Sequence, residues 1–321
     1  MAKYNARAYA RLGQSGSIFG MALMDISEEN DVKIVSADMS VVAGLDRFKR
    51  TYLNDFYNVG IAEQNLLGVA AGLASEGHKT IAVAQACFIT MRSFEQARQY
   101  MGYMNNNVIA VGINSGFALT FFGNTHYCIE DLTLMRSIPG MTVLSPADAG
   151  SAVKAFEAAV RIDGPVYMRL TGGLMTPVIY KDDFDYTIGK AITLKEGTDV
   201  TVFATGTVVA NVLKAADSLQ EEGISVKVVD MHTIKPIDRE VIIACKDSRL
   251  IFTVEEHNTN GGLGSAIADV MSEVGGMPQM VKLGVHDAFS MVGDYNYMLE
   301  QHRLTPELIK EDIENNLKLN V

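Results

Sequence analysis

The chain alternates two kinds of segment, and that rhythm restricts it to a small set of folds. Short runs that are apolar on both faces, such as TIAVAQ at 80–85 and VIAVGI at 108–113, are separated by longer stretches with helical patterning. A strand with no polar face must be covered on both sides, and crossover helices between parallel strands supply that cover. Strands are expected at residues 32–37, 80–86, 107–113, 141–144 and 165–170, with helices near 63–75, 91–104, 129–138 and 148–161. Residues 171–199 (TGGLMTPVIYKDDFDYTIGKAITLKEGTD) break the rhythm. They mix Gly, Pro and charge, and read as a linker with one short extended piece.

The alternation then restarts. Strands are expected at 200–204, 225–230, 250–255 and 281–285, with helices from 208 to about 221 and from Gly261-Gly262 onward. At the end, Thr305-Pro306 puts a capping hydroxyl and a first-turn proline ahead of ELIKEDIENNL. The reading is two doubly wound α/β domains with mainly parallel sheets: 1–175, a linker at 176–198, and 199–321. A length of 321 residues suits two domains.

Bulk properties exclude several function classes. A net charge of −11 offers no basic face for nucleic acid or anionic lipid. No segment approaches the ~20 consecutive apolar residues of a membrane span. The opening MAKYNARAYARLG lacks the apolar core and cleavage pattern of a secretory signal, so a cytoplasmic protein is expected. Cys87, Cys128 and Cys245 are odd in number and form no CxxC pair, which supports neither a disulfide framework nor a thiolate zinc site.

Three segments place chemistry-bearing residues at element ends. In NVGIAEQN (58–65), Glu63 falls in the first turn of a helix, where the dipole favours a carboxylate. The helix continues with Gly68, Ala70, Ala71, Gly72 and Ala74, small enough for close packing, so Glu63 is expected at a buried interface. Spacing alone leaves open a first-turn acid with no further role. In AVAQACFITMRSFEQAR (82–98), Phe88 lies just past a strand end, where α/β sheets bind ligands, and Phe94 lies on the next helix. These rings can stack on a flat heterocycle or pack in the core. Arg92 and Arg98 read as surface or ion-pair residues. In SGFALTFFGNTHYCIEDLTLM (115–135), His126 occupies a loop between strand and helix, with a structural and a catalytic reading both open.

The GGLGS run at 261–265 opens a helix but lacks the GxGxxG spacing and the P-loop lysine, so helix packing is its expected purpose. His257, just before it, reads as a turn residue. No GxSxG elbow, HExxH pair or EF-hand loop is present.

In combination these segments resemble the transketolase family. NVGIAEQNLLGVAAGLASEG is similar to that family's pyrimidine-binding motif, and VAQACFITMRSFEQARQYM to the segment bearing its ring-stacking aromatic. GNTHYCIEDLTLMRSIPGMTVLSPAD resembles its histidine loop, while VVDMHTIKPID and FTVEEHNTNGGLGSAIAD resemble its C-terminal domain. The resemblance implies a thiamine-diphosphate enzyme that moves a two-carbon ketol unit from a ketose (phosphate) donor to an aldose. It implies that Glu63 hydrogen-bonds N1′ of the aminopyrimidine, that Phe88 stacks on that ring, and that Ile61 and Phe94 lie beside the cofactor. His126 would contact substrate hydroxyls, and Arg169 in PVYMRLTGG would bind a substrate phosphate. Asn114 stands where the family often has a phosphate-contacting histidine.

Family members hold the diphosphate and its metal with a GDG motif followed by a spaced Asn. Here the only GD pair, Gly293-Asp294, runs on as Tyr-Asn. The resemblance therefore implies no metal ligands in this chain. It implies a partner N-terminal subunit carrying GDG, the diphosphate site and Mg²⁺ or Ca²⁺, in a heterotetramer with two copies of each chain. The sequence also departs from the family. Phe121-Phe122 replaces an acidic pair, and LGQSGSIFG and ADMSVV lack clear counterparts of its phosphate-binding Arg and Ser. Losing that carboxylate leaves a sugar hydroxyl unpaired at about 1–3 kcal/mol, so a less hydroxylated or unphosphorylated acceptor is expected. The rival expectations are the β-subunit of a 2-oxo-acid dehydrogenase, a deoxyxylulose-phosphate-synthase-like enzyme, and a non-catalytic regulatory subunit.

Overall fold

Twelve strands, in two sheets, carry the chain through the computed structural model, which describes residues 5, 9, 12–172 and 177–319. In chain order they are β1 (Val32–Ser36), β2 (Phe56–Asn58), β3 (Lys79–Gln85), β4 (Val108–Ser115), β5 (Thr142–Leu144) and β6 (Val166–Thr171). Then follow β7 (Ile192–Lys195), β8 (Val200–Thr205), β9 (Val226–Asp230), β10 (Thr233–Lys235), β11 (Leu250–Asn258) and β12 (Met280–Val285). The first sheet runs β10-β5-β6-β4-β3-β1-β2 and is parallel except at its β10 edge. The second runs β12-β11-β8-β9-β7 and is parallel except at its β7 edge. Both are α/β layers, as the alternation predicts.

Side chains on β3 show why its run is apolar on both faces. Ala82 and Ala84 join one core cluster, with Leu66, Leu67 and Ala70 of α2 (Glu63–Ser75). Their neighbours Ile81 and Val83 join the other, with Phe19 and Leu23 of α1 (Phe19–Glu29). Successive residues of a strand point to opposite faces, so a sheet covered twice needs both sets apolar. The cluster containing α2 continues through Phe203, Val229 and Ile251 of the second sheet, so the two domains share one core.

Several elements differ from the expectation. The helix expected at 91–104 is cut at Ser93 (φ −112°, ψ 26°): α3 (Ala86–Met91) ends before it, and a new helical stretch with wide turns follows. Helix α1 and the three-residue strands β2 and β10 were not legible as periodic segments. Strand β10 leaves the second domain and pairs antiparallel with β5 of the first, tying the two sheets together. Its Ile234 is 1% exposed. The other helices used below are α4 (Asp131–Ser137), α5 (Ala149–Ala159), α6 (Val209–Glu221), α7 (Leu263–Val274) and α8 (Pro306–Leu319). Helix α8 is capped as expected, the Leu308 amide donating to Thr305 Oγ1 at 3.4 Å. Residues 173–176, which contain the expected domain boundary, lie outside the described residues. Among the described residues no helix is long and apolar enough to cross a membrane.

Candidate active site

Glu63 is the first residue of α2, and the loop before it is held by a polar clasp. The Asn58 side chain accepts from the Gly60 and Asp38 amides at 3.0 and 3.1 Å, and donates to Asp38 Oδ1 at 3.0 Å. Gly60 adopts φ +73°, a conformation that a residue with a Cβ rarely takes. The turn so formed projects Glu63 inward, where it is 6% exposed. Both its carboxylate oxygens lie 3.3 Å from Arg92 Nη1.

Arg92 follows Phe88 by one helical turn, and its guanidinium lies over the Phe88 ring, 3.7 Å from the centroid. The other edge of Phe88 meets His126, with centroids 5.4 Å apart and planes at 71°. His126 is held at both ends: its carbonyl accepts from Gln85 Nε2 at 2.9 Å, and Nδ1 lies 2.8 Å from Thr125 Oγ1. Phe122 packs on the same imidazole at 4.7 Å and on Phe121 at 4.3 Å. The three motifs thus converge, in the order Glu63, Arg92, Phe88, His126, Phe122, Phe121. Phe121 and Phe122 are 66% and 55% exposed, so this aromatic wall faces outward.

Arg92 is the member that sequence reasoning did not assign to the site. The signal was present, since a cation four residues after an aromatic on one helix lies on the same face.

Phe94 starts a fresh turn after the break at Ser93 and packs half-buried against the core cluster of α2. Ile61 is 77% exposed on the loop ahead of Glu63. Asn114, next to last in β4, takes a left-handed conformation (φ +54°), its amide donating to Ser15 Oγ at 3.0 Å.

The expectation for Arg169 needs correction, because the side chain is 1% exposed at the domain interface and presents no face to a substrate. Its Nε donates to Asp131 Oδ2 at 2.9 Å, Nη1 to Thr171 Oγ1 at 3.2 Å, and Nη2 to the Glu256 carbonyl at 2.8 Å. Tyr167 adds an O–H bond to Asp131 at 2.7 Å. Removing one member of such a buried pair strands the other charge, a cost of about 3–5 kcal/mol.

The glycine-rich turn before α7 is closed internally. Glu255 accepts from the Leu263 and Gly264 amides at 2.7 and 2.8 Å, so a carboxyl group of the chain itself already occupies the helix start. Burial pushes this carboxyl up to about 7. His257 is fully buried rather than a turn residue: its Nε2 accepts from the Leu132 amide at 3.1 Å, and burial depresses it to about 4. Cys87, Cys128 and Cys245 are free and buried, and burial raises the Cys87 thiol to about 12. Among the described residues no group of three or more His, Cys, Asp or Glu is placed to hold a metal ion.

Comparison with known proteins matches this architecture over most of the chain. A model of the transketolase pyrimidine-binding domain matches residues 15–177, and one of the transketolase C-terminal domain matches residues 189–309. An apulose-4-phosphate transketolase subunit of Phocaeicola vulgatus is 37% identical over 77% of this chain and 79% of its own. The 6-deoxy-6-sulfo-D-fructose transketolase subunit SqwH of Clostridium sp. is 36% identical over 89% of each. Among solved structures, a split-gene transketolase described as an inactive beta4 tetramer superposes with a TM-score of 0.85. It is 38% identical and covers 95% of this chain and 98% of that one. The chain belongs to the transketolase family of thiamine-diphosphate enzymes, in the form of the subunit of a split transketolase that carries the pyrimidine-binding and C-terminal domains.

Proposed function

We propose that this subunit receives the aminopyrimidine of thiamine diphosphate between Glu63 and Phe88, while a partner subunit grips the diphosphate and its Mg²⁺ or Ca²⁺. The observation that carries the reading is a buried carboxylate facing an aromatic ring across a gap filled by a flat nitrogen-bearing group, the Arg92 guanidinium. A gap that accepts one planar, nitrogen-rich group between those contacts fits another. When bound, the cofactor supplies the nucleophilic carbon that takes the two-carbon ketol unit from a ketose and hands it to an aldose.

The chain's own residues then have separate tasks. Glu63 hydrogen-bonds the ring edge at N1′ and fixes its tautomer. Phe88 supplies the stacking face. His126, braced by Thr125 and Phe122, contacts substrate hydroxyls at the mouth. Phe121 and Phe122 line the acceptor side with apolar surface where the family pattern has acids, which favours an acceptor with fewer hydroxyls there. The relatives' names specify ketoses ending in phosphate or sulfonate. A ketose donor with an anionic tail therefore suits this site, the tail being held by groups other than the buried Arg169. The assembly is two copies of each chain. Residues 1–175 and 199–321 act as its two folding units, joined at 176–198. Free buried thiols accord with a cytoplasmic setting.

Reconstitution tests this directly. Mixed with a partner chain that carries GDG and a spaced Asn, the protein is expected to transfer ketol units between sugars, and alone to show no turnover. Glu63→Ala in the mixed complex is expected to abolish transfer; full retained turnover would support a non-catalytic subunit instead. Decarboxylation of a 2-oxo acid without ketol transfer would assign the chain to the dehydrogenase branch.

A further inference from the structure

We propose that Arg92 is a built-in occupant of the pyrimidine seat: it holds the space between Glu63 and Phe88 while the cofactor is absent, and swings out to solvent when the ring arrives. This rests on the reading of that gap as the cofactor site. Arg92 makes the two contacts expected of the aminopyrimidine, stacking 3.7 Å above the Phe88 centroid and placing one nitrogen 3.3 Å from both Glu63 oxygens. A planar guanidinium suits both tasks, because it stacks on aromatic faces and donates along its edge to a carboxylate.

The side chain is also free to leave. It is 51% exposed, against 7% for its Glu63 partner. Among the described residues, Glu63 alone accepts a hydrogen bond from its guanidinium. Arg92 lies where α3 gives way to the break at Ser93, so a rotamer change moves no helix that the core depends on.

The arrangement also explains how Glu63 is tolerated without a ligand. A buried carboxylate with no partner is costly, and Arg92 supplies the partner until the cofactor does. Competition for the seat has a measurable consequence. Apparent affinity falls by the fraction of chains whose seat is open, so emptying the seat tightens binding without adding a contact.

Titration calorimetry of thiamine diphosphate, with Mg²⁺ present, onto the complex of this chain with its diphosphate-binding partner tests the proposal. Arg92→Ala is expected to bind about three- to tenfold more tightly than wild type and to associate faster in stopped flow. Arg92→Gln, which keeps a donor but loses the charge and the full planar fork, is expected to fall between them. Both variants are expected to melt below wild type in the cofactor-free state, because each weakens or removes the partner of the buried Glu63, so circular dichroism confirms the fold at the titration temperature before binding is measured. Unchanged or weaker binding by Arg92→Ala, with the wild-type complex binding normally, would overturn the proposal alone. No binding by wild type or either variant would overturn it together with the assignment of the gap to the cofactor.

Discussion

At the residue scale the site depends on which side chains share one small volume, and sequence conveys that unevenly. Glu63, Phe88 and His126 each sit in a distinctive segment at the end of an element, and the fold brings all three together. Their roles differ in what a substitution should do. Phe88 provides a flat face and carries no charge, so its loss should weaken cofactor binding with little effect on proton positions. Phe88→Ala in the reconstituted complex is expected to raise the thiamine diphosphate Kd by about three- to tenfold, from a stacking contribution of roughly 0.5–1.5 kcal/mol. Equilibrium titration measures it, and an unchanged Kd would remove Phe88 from the site. Arg169 shows the opposite case. Its sequence context gave no sign that Asp131, Thr171 and the Glu256 carbonyl would enclose it, because those partners come from distant parts of the fold. A guanidinium reads the same in sequence whether it meets a phosphate or a buried aspartate.

At the element scale, strands buried on both faces and capped helices were readable, because their signals are local and span several residues. Strands β2 and β10, at three residues each, span barely more than one strand repeat and lack the apolar run that marks the equally short β5, so their partners define them. The start of α7 is a further case where composition suggested packing and geometry supplies the reason. An added Cβ on Gly262 would lie 1.9 Å from Glu255 Oε2 and 2.7 Å from His257 Nδ1. Both neighbours are fully buried and held by other bonds, so neither can give way cheaply. Gly262→Ala is expected to destabilise the chain by about 1–3 kcal/mol, as overpacking in a filled interior does. Urea unfolding would show it as a lower midpoint at unchanged slope; an unshifted midpoint would mean that the turn relaxes freely.

At the scale of the whole molecule, the stretch read as a linker is a strap fastened to both domains near its start. The Ile179 and Tyr180 amides donate to Asp148, the N-cap of α5 in the first domain, at 2.8 and 3.0 Å. The Tyr180 hydroxyl donates to Asp230 at the end of β9 in the second domain, at 2.7 Å. Asp230 is fully buried, its other oxygen has no partner among the described residues, and burial pushes its carboxyl up to about 8. In the unfolded chain an aspartate titrates near 3.9. Between those values the native state keeps a proton that the unfolded state has released, so the stability from this group is complete at acid pH and drains away as pH rises toward 8. Glu255, raised to about 7, acts in the same direction, whereas His257, depressed to about 4, opposes it only on the acid side. Asp230→Asn isolates the first effect, since the amide cannot ionise and still offers Tyr180 an acceptor. Melting temperatures taken from pH 5 to 9 are expected to fall for both proteins, and more steeply for wild type, so the gap between them shifts in favour of the variant with rising pH. Parallel curves would show that the strap is not closed over a protonated carboxyl.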